Sequence, residues 1–374
     1  MPVELTERQA YLALNALPGI GPVALNRLLE GHDGDPRAVL SADRRRLETL
    51  LGGSPAAATA VRDWRAHFDP QREEDRMARS GVDFISPGEP GFPALLEEIG
   101  DPPVGLYRKG NYRFDNPCVA VVGSRRATPY GQSVAKRLGT ELARLGFCVV
   151  SGLARGVDTA AHEGALSAGG RTAAVMGTGI DIIYPPENLG LYRRIAEAGA
   201  VLSEFPFGRA ADGDSFAMRS RVVSGICEAV VVVESDLWGG AMTTAKFAGE
   251  QGRLLFAVPG RIDQSTSAGS NQLIRDGATL LTRVEDVLQE IQYLGGLRAA
   301  PVGGPGAAEA EALAGLGQEE ARILYHLRGG QPWTPADLAS RSGISPAATG
   351  AALTLLESKG FVSRNPDGSY AAGA

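Results

Sequence analysis

"VAVVGSRRATPYGQSVAKRL", Val119 to Leu138, carries a β-branched apolar run into Gly123 and then into a helix-like pattern. Strand, glycine turn and helix make the first half of a nucleotide-binding βα unit. Yet the dinucleotide fingerprint G-x-G-x-x-G fails: Arg125 stands at the second glycine position and Thr128 at the third. The "GTG" of Gly177–Gly179 also lacks a third glycine, and no G-x-x-x-x-G-K-[ST] occurs in the chain. The turn is therefore expected to meet phosphate in another way than a dinucleotide or P-loop cradle.

Working outward, further short apolar runs follow: "FCVVS", "TAAVM", "AVLSE", "AVVVVE", "LLFAVP" and "ATLL". Helical stretches such as Tyr130–Leu145 and Gly156–Ser167 lie between them. Such alternation predicts a Rossmann-like, doubly wound, mostly parallel α/β sheet covered on both faces. In such sheets ligands sit outside the carboxyl ends of the strands. Those ends carry Gly123, Ser124, Arg125 and Arg126, then Ser151, Gly152 and Arg155, and a later helix carries Phe216, Arg219 and Arg221. Small residues let an anionic backbone approach helix N-termini, and arginines supply forked donors for phosphate oxygens. A lone loop arginine ordinarily makes a surface salt bridge. The argument rests on several falling at one sheet edge. Phe216 reads either as core or as a stacking platform, and its flanks "DGDS" and "MRSR" favour partial exposure. Asp158 and Glu234 read as acid/base candidates or, more commonly, as caps. No Ser-His-Asp grouping or metal cluster is expected at these ends, so a binder without cofactor or metal is favoured over an enzyme.

The 374 residues, 44% hydrophobic and 21% charged, describe a soluble multidomain protein. No apolar run reaches membrane-spanning length, and "MPVELTERQAY" has no signal pattern. Cys118, Cys148 and Cys227 read as core residues of a reducing compartment, so a cytoplasmic location is expected. A net charge of −6 argues against a protein that coats duplex DNA but allows a local basic pocket. Four parts are expected: a helical domain over 1–85, the Rossmann-like domain over 86–294, a flexible Ala/Gly/Pro-rich linker over 295–316 and a winged helix over 317–374.

The motifs "VAVVGSRRATPYG", "VVSGLARGVDTAAHEGAL", "AVMGTGIDIIYPPEN", "LSEFPFG", "FAMRSRVVSG", "AVVVVE", "FAVPG" and "GSNQLIRDGA" follow one another in order. In this the chain resembles the DNA-processing protein A (DprA/Smf) family over about residues 85–290. The resemblance implies a Rossmann-like binder of single-stranded DNA that protects incoming strands in natural transformation and helps load the RecA recombinase. It further implies a homodimer without turnover. Carried over by motif, the site residues are Gly123, Ser124, Arg125, Ser151, Gly152, Arg155, Phe216, Arg219 and Arg221. Where the family has an asparagine between its two arginines this chain has Ser220, and Ala217 replaces a common proline.

"ALNALPGIGPVALNRLLE", Ala13–Glu30, resembles a helix-hairpin-helix, whose turn offers backbone N–H groups to a phosphate. A SAM-like or protein-contacting role is equally compatible, since residues 1–85 hold 13 acidic and 11 basic side chains. In the tail, helices are expected at Gln318–Leu327, Pro335–Ser342 and Pro346–Lys359, followed by a hairpin turning at Asp367-Gly368. The last helix, "SPAATGAALTLLESKG", is poor in groups that read bases, which favours protein contact over DNA contact. Leu273 and Ile274, on a short helix in "GSNQLIRDGATLL", are candidates for self-association, with an intradomain core role as the alternative. Two other functions remain in view. One is a nucleotide-sensing winged-helix regulator. The other is a lysine-decarboxylase-like nucleotide phosphoribohydrolase, whose catalytic glutamate would fall on Lys246.

Overall fold

The computed structural model describes residues 5–293, residues 332–372 apart from Gly360 and Pro366, and isolated positions between Gly317 and Leu327. The chain divides into two units, residues 1–300 and 301–374. The linker expected over 295–316 lies outside the described residues.

The first unit is built on one sheet of nine strands. These are β1 (Val82–Ile85), β2 (Leu106–Gly110), β3 (Cys118–Val122), β4 (Cys148–Ser151), β5 (Thr172–Met176), β6 (Ala200–Ser203), β7 (Ala229–Val232), β8 (Leu254–Ala257) and β9 (Thr279–Leu280). Their order is β1-β2-β6-β5-β4-β3-β7-β8-β9. From β6 to β9 every pairing is parallel. The seven apolar runs are β3 to β9. β1 and β2 add an antiparallel edge that the sequence pattern did not announce.

Alternate residues of β3 serve opposite faces. Cys118, Ala120 and Val122 join one core with the helices Gly213–Gly225 and Gly240–Glu250. Val119 and Val121 join the other with the helices Pro129–Arg144 and Val157–Ser167. Burying both faces explains the unbroken apolar strands, each buried valine side chain contributing about 1.5–3 kcal/mol. Two glycines let the second helix pair pack closely. A Cβ on Gly139 would lie 2.3 Å from the Ala161 carbonyl oxygen, and one on Gly164 2.1 Å from that of Lys136.

From β3 the chain winds through β4, β5 and β6 to one side, then returns to the other side of β3 as β7. The reversal opens a crevice between the carboxyl ends of β3 and β7.

Ahead of the sheet, short helices from Glu7–Asn15 to Pro70–Ser80 close around Trp64, Leu14, Leu28 and Leu47. They dock on the sheet's edge. Leu12 and Met77 pack with Phe84, Tyr107 and Val201, and the Tyr107 hydroxyl donates to Glu73 at 3.0 Å. Asn15 and Asn26 donate side-chain N–H groups to the carbonyls of Glu204 and Pro102, both at 2.8 Å. In the hairpin turn Gly19 takes φ +73°, a conformation that favours glycine.

In the second unit the helices Pro335–Ser342 and Pro346–Ser358 are capped by Thr334 and Ser345. They pack with the hairpin of β10 (Val362–Arg364) and β11 (Tyr370–Ala372), which turns through Gly368 at φ +83°. Of the helix expected at Gln318–Leu327, only Glu319, Glu320, Ile323 and Leu327 are described. No helix among the described residues is long and apolar enough to cross a membrane.

Candidate nucleic-acid interface

The turn after β3 is pinned across the crevice. The Ser124 amide donates to the Glu234 carbonyl at 2.7 Å, and the Val157 amide to the Ser124 carbonyl at 3.2 Å. The helix that follows, Pro129–Arg144, is the one whose N-terminus takes the pyrophosphate in dinucleotide folds. Here that place is filled by the buried Glu234 carboxylate. It accepts from the Thr128 amide at 2.9 Å and the Thr128 hydroxyl at 2.6 Å. A Cβ on Gly131 would sit 2.3 Å from it. Glu234 is thus a cap supplied by the far side of the crevice, a fixed anion in place of a phosphate. A dinucleotide is excluded from this helix end by charge as well as by the missing glycines.

Helix Gly213–Gly225 opens with a capping box between Asp212 and Ser215. Phe216 and Arg219, three residues apart, share one face. Arg219 is buried. Its Nη1 donates to the Val175 carbonyl at 3.2 Å and lies 3.9 Å from Asp158. Its Nε has no hydrogen-bond partner among the described residues. A Cβ on Gly152 would fall 1.1 Å from the Arg219 Nη1, and one on Gly177 2.8 Å from the Phe216 ring. This corrects one expectation: Gly152 gives its space to the chain's own arginine rather than to an approaching phosphate. Ser151 likewise turns inward, donating its hydroxyl to the Val121 carbonyl at 2.7 Å.

Arg221 is a second correction. Two residues beyond Arg219, it projects from another side of the helix. It is buried there with Glu204 and with Asp101 at 3.3 Å. It takes no part in the crevice. Asp158 accepts from the amides of Gly152 and Ala154 at 3.1 and 3.3 Å, so it too is a cap. Burial pushes its carboxyl above the ordinary aspartate range, against the pull of Arg219 and those amides.

What the crevice brings together is a cleft of about 380 Å³ lined by Gly123, Ser124, Arg125, Arg126, Phe216 and Arg219. Its other wall is Ser235, Asp236, Gly239, Gly240, Thr243 and Thr244. That wall ends in the N-terminus of helix Gly240–Glu250, which no side chain caps and whose first residues Gly240 and Ala241 line the cleft. An uncapped helix N-terminus of this kind suits an anion, although the Met242 amide is already bonded to the Gly239 carbonyl at 2.9 Å. The Arg125 guanidinium lies 4.6 Å from the centroid of the half-buried Phe216 ring. Arg155 stands outside the cleft, exposed and paired with Glu187.

Sequence reasoning missed Tyr184, whose ring lies 5.7 Å from that of Phe216. The only signal was an aromatic ahead of two prolines, in the loop eight residues beyond β5. The helix N-terminus at Gly240 was marked in the sequence by the glycine pair of "SDLWGGAMTTA" after β7. Lys246, where a phosphoribohydrolase would place its glutamate, is exposed and paired with Glu250 at 3.6 Å. Among the described residues no cluster of His, Cys, Asp and Glu is placed to hold a metal.

A family model described as DNA recombination-mediator protein A matches residues 83–292, and one for the DprA winged helix domain matches 307–368. The chain belongs to the DNA recombination-mediator protein A family. It is 35% identical over 304 residues to Protein Smf of Synechocystis sp., covering 79% of this chain and 74% of that one. The X-ray structure of DNA processing protein A from Streptococcus pneumoniae matches with TM-score 0.66 and 32% identity, over 77% of this chain and 99% of that one. DNA processing protein A from Helicobacter pylori matches with TM-score 0.51 and 31% identity, over 57% of this chain and 96% of that one. The structure of that relative concerns its unique single-stranded DNA binding mode.

Proposed function

We propose that the cleft binds single-stranded DNA and that the protein is a binder rather than an enzyme. In this reading it protects incoming strands and hands them to RecA in the cytoplasm, working as a homodimer without cofactor. The observation that carries it is the grouping of Arg125, Phe216 and Arg219 with an uncapped helix N-terminus at the topological switch point. Those parts match a polynucleotide's repeating chemistry, with guanidiniums and N–H groups for phosphates and a ring for a base. The Glu234 cap argues against a nucleotide pyrophosphate in the same crevice.

The division of labour follows from position. Arg125 and Arg126, both exposed, meet phosphates as the strand enters. Arg219, held on the floor by Val175 and Asp158, is a fixed donor that needs no reordering. A base stacking on Phe216 competes with Arg125 for the ring, and that nucleotide's phosphate is where the guanidinium can go. Tyr184 extends the aromatic surface towards Arg155. A duplex is too stiff to turn its bases into a cleft of this size.

Titration with matched single- and double-stranded oligonucleotides at two salt concentrations tests the reading. Single strands should bind more tightly, with a log–log salt slope near −0.7 per phosphate contacted. Equal affinity for both forms, or a footprint on one defined duplex, would overturn it.

A further inference from the structure

Trp238 is 94% exposed, and among the large apolar side chains of the described residues only Ile262 stands further out. It lies on the loop from Ser235 to Gly239, between β7 and helix Gly240–Glu250. The loop is fixed. The Trp238 amide donates to the Asp236 carboxylate at 2.9 Å, and the Ser235 hydroxyl donates to the Asp236 carbonyl at 2.8 Å. The Gly269 amide holds the Ser235 carbonyl at 2.7 Å. A Cβ on Gly239 would meet the Ser235 hydroxyl at 2.4 Å, so that residue closes the turn tightly. The indole is therefore presented to solvent by an ordered backbone. Its sequence neighbours Asp236 and Gly239 line the cleft together with Phe216 and Arg219.

We propose that Trp238 is a second stacking platform, which takes the base of the strand as it leaves the cleft past the end of β7. The proposal rests on the single-stranded DNA reading of the cleft. Among the described residues nothing packs over this indole, and its lost burial is recovered only when a flat partner covers it. Around it the loop offers Leu237, two polar residues and glycines. That suits one ring better than the broad apolar centre of a protein interface. Stacking is indifferent to sequence, as a protector of arbitrary strands requires.

The test uses the full chain, with Trp238→Ala and Trp238→Phe, titrated with oligothymidylate of about 15 nucleotides and with a trinucleotide. Trp238→Ala should weaken the longer strand about 5- to 100-fold without changing the salt slope, and Trp238→Phe should restore most of it. The trinucleotide should bind all three proteins alike. Binding of the longer strand should quench the emission of the exposed indole, read as the difference between the wild type and Trp238→Phe, which keeps the buried Trp64 and the half-buried Trp333. Wild-type affinity in Trp238→Ala overturns the proposal. So does a loss of affinity accompanied by dissociation of a dimer in light scattering, which would make Trp238 a subunit contact. If the wild type itself binds neither oligonucleotide, the reading of the cleft fails first.

Discussion

Arg219 joins the core to the site, because its guanidinium occupies the volume that any side chain at residue 152 would need. Gly152→Ala must therefore expel it. The expected outcome is a folded protein about 1–3 kcal/mol less stable, with weakened single-strand binding, seen in a denaturant melt and an oligonucleotide titration. A variant with wild-type affinity would remove Arg219 from the site. Phosphate and base contacts should also separate. Arg125→Ala is expected to lower affinity for all sequences alike and to make the salt slope shallower by about one contact. Phe216→Ala is expected to weaken binding at an unchanged slope, because stacking releases no counterions. Unfolding of Phe216→Ala would make the half-buried ring a core residue after all. At this scale the sequence was partly legible. Phe216 and Arg219 are three apart and meet on one helix face, which the spacing foretells. Arg221 is two apart from Arg219, and the same geometry sends it to Glu204 and Asp101. Gly152 was legible only as a residue needing space, since its occupant comes from a helix more than sixty residues further along.

At the scale of elements, strands β3 to β8 were legible because they pack into cores on both faces and their sequences are almost wholly apolar, while the exposed β9 was marked only by the run "ATLL". The edge pair β1 and β2 was not. "VDFI" and "LYRKG" are short and carry charge, as edge strands tolerate. A capping role for Glu234 was legible, but not the helix it serves, whose N-cap Thr128 lies 106 residues earlier. Helix Val157–Ser167 carries a further buried polar group with a measurable consequence. The Nδ1 of fully buried His162 meets the Thr172 hydroxyl at 2.7 Å, and its Nε2 has no hydrogen-bond partner among the described residues. Burial, with Arg219 nearby, lowers its pKa from 6.5 to about 3. A folded-state pKa below the unfolded one gives stability that is present above pH 6.5 and lost as pH falls towards 3. Between pH 7 and pH 5 this residue should cost about 2 kcal/mol. The buried carboxyls of Asp158 and Glu204 are pushed upward and act with the opposite sign. The effect is therefore read as the difference between the wild type and His162→Gln in urea melts at the two pH values. Parallel pH dependence in the two proteins would contradict it.

For the whole molecule, the docking of the N-terminal helices on the sheet edge was invisible in the sequence. It depends on scattered contacts such as Leu12 on Phe84 and Tyr107 on Glu73. Self-association belongs to this scale too. Helix Ala268–Arg275 is eight residues long, and Leu273 leans on the core while Ile274 stays half-buried. Ile274→Arg is therefore the cleaner probe than Leu273→Arg. It should give a folded monomer in light scattering, with weaker binding of long strands because two linked clefts act on one strand. A folded variant that stays dimeric would remove this helix from the interface.

The central claim is that a single strand lies in the crevice between β3 and β7, and hydrogen–deuterium exchange of the full chain with and without an oligonucleotide tests it most directly. The account predicts new protection at Gly123–Arg126, along Phe216–Arg219 and across Ser235–Thr244, the three segments that line the cleft. Protection confined to the hairpin of Pro18–Glu30 or to the second unit, with those three segments unchanged, would contradict it.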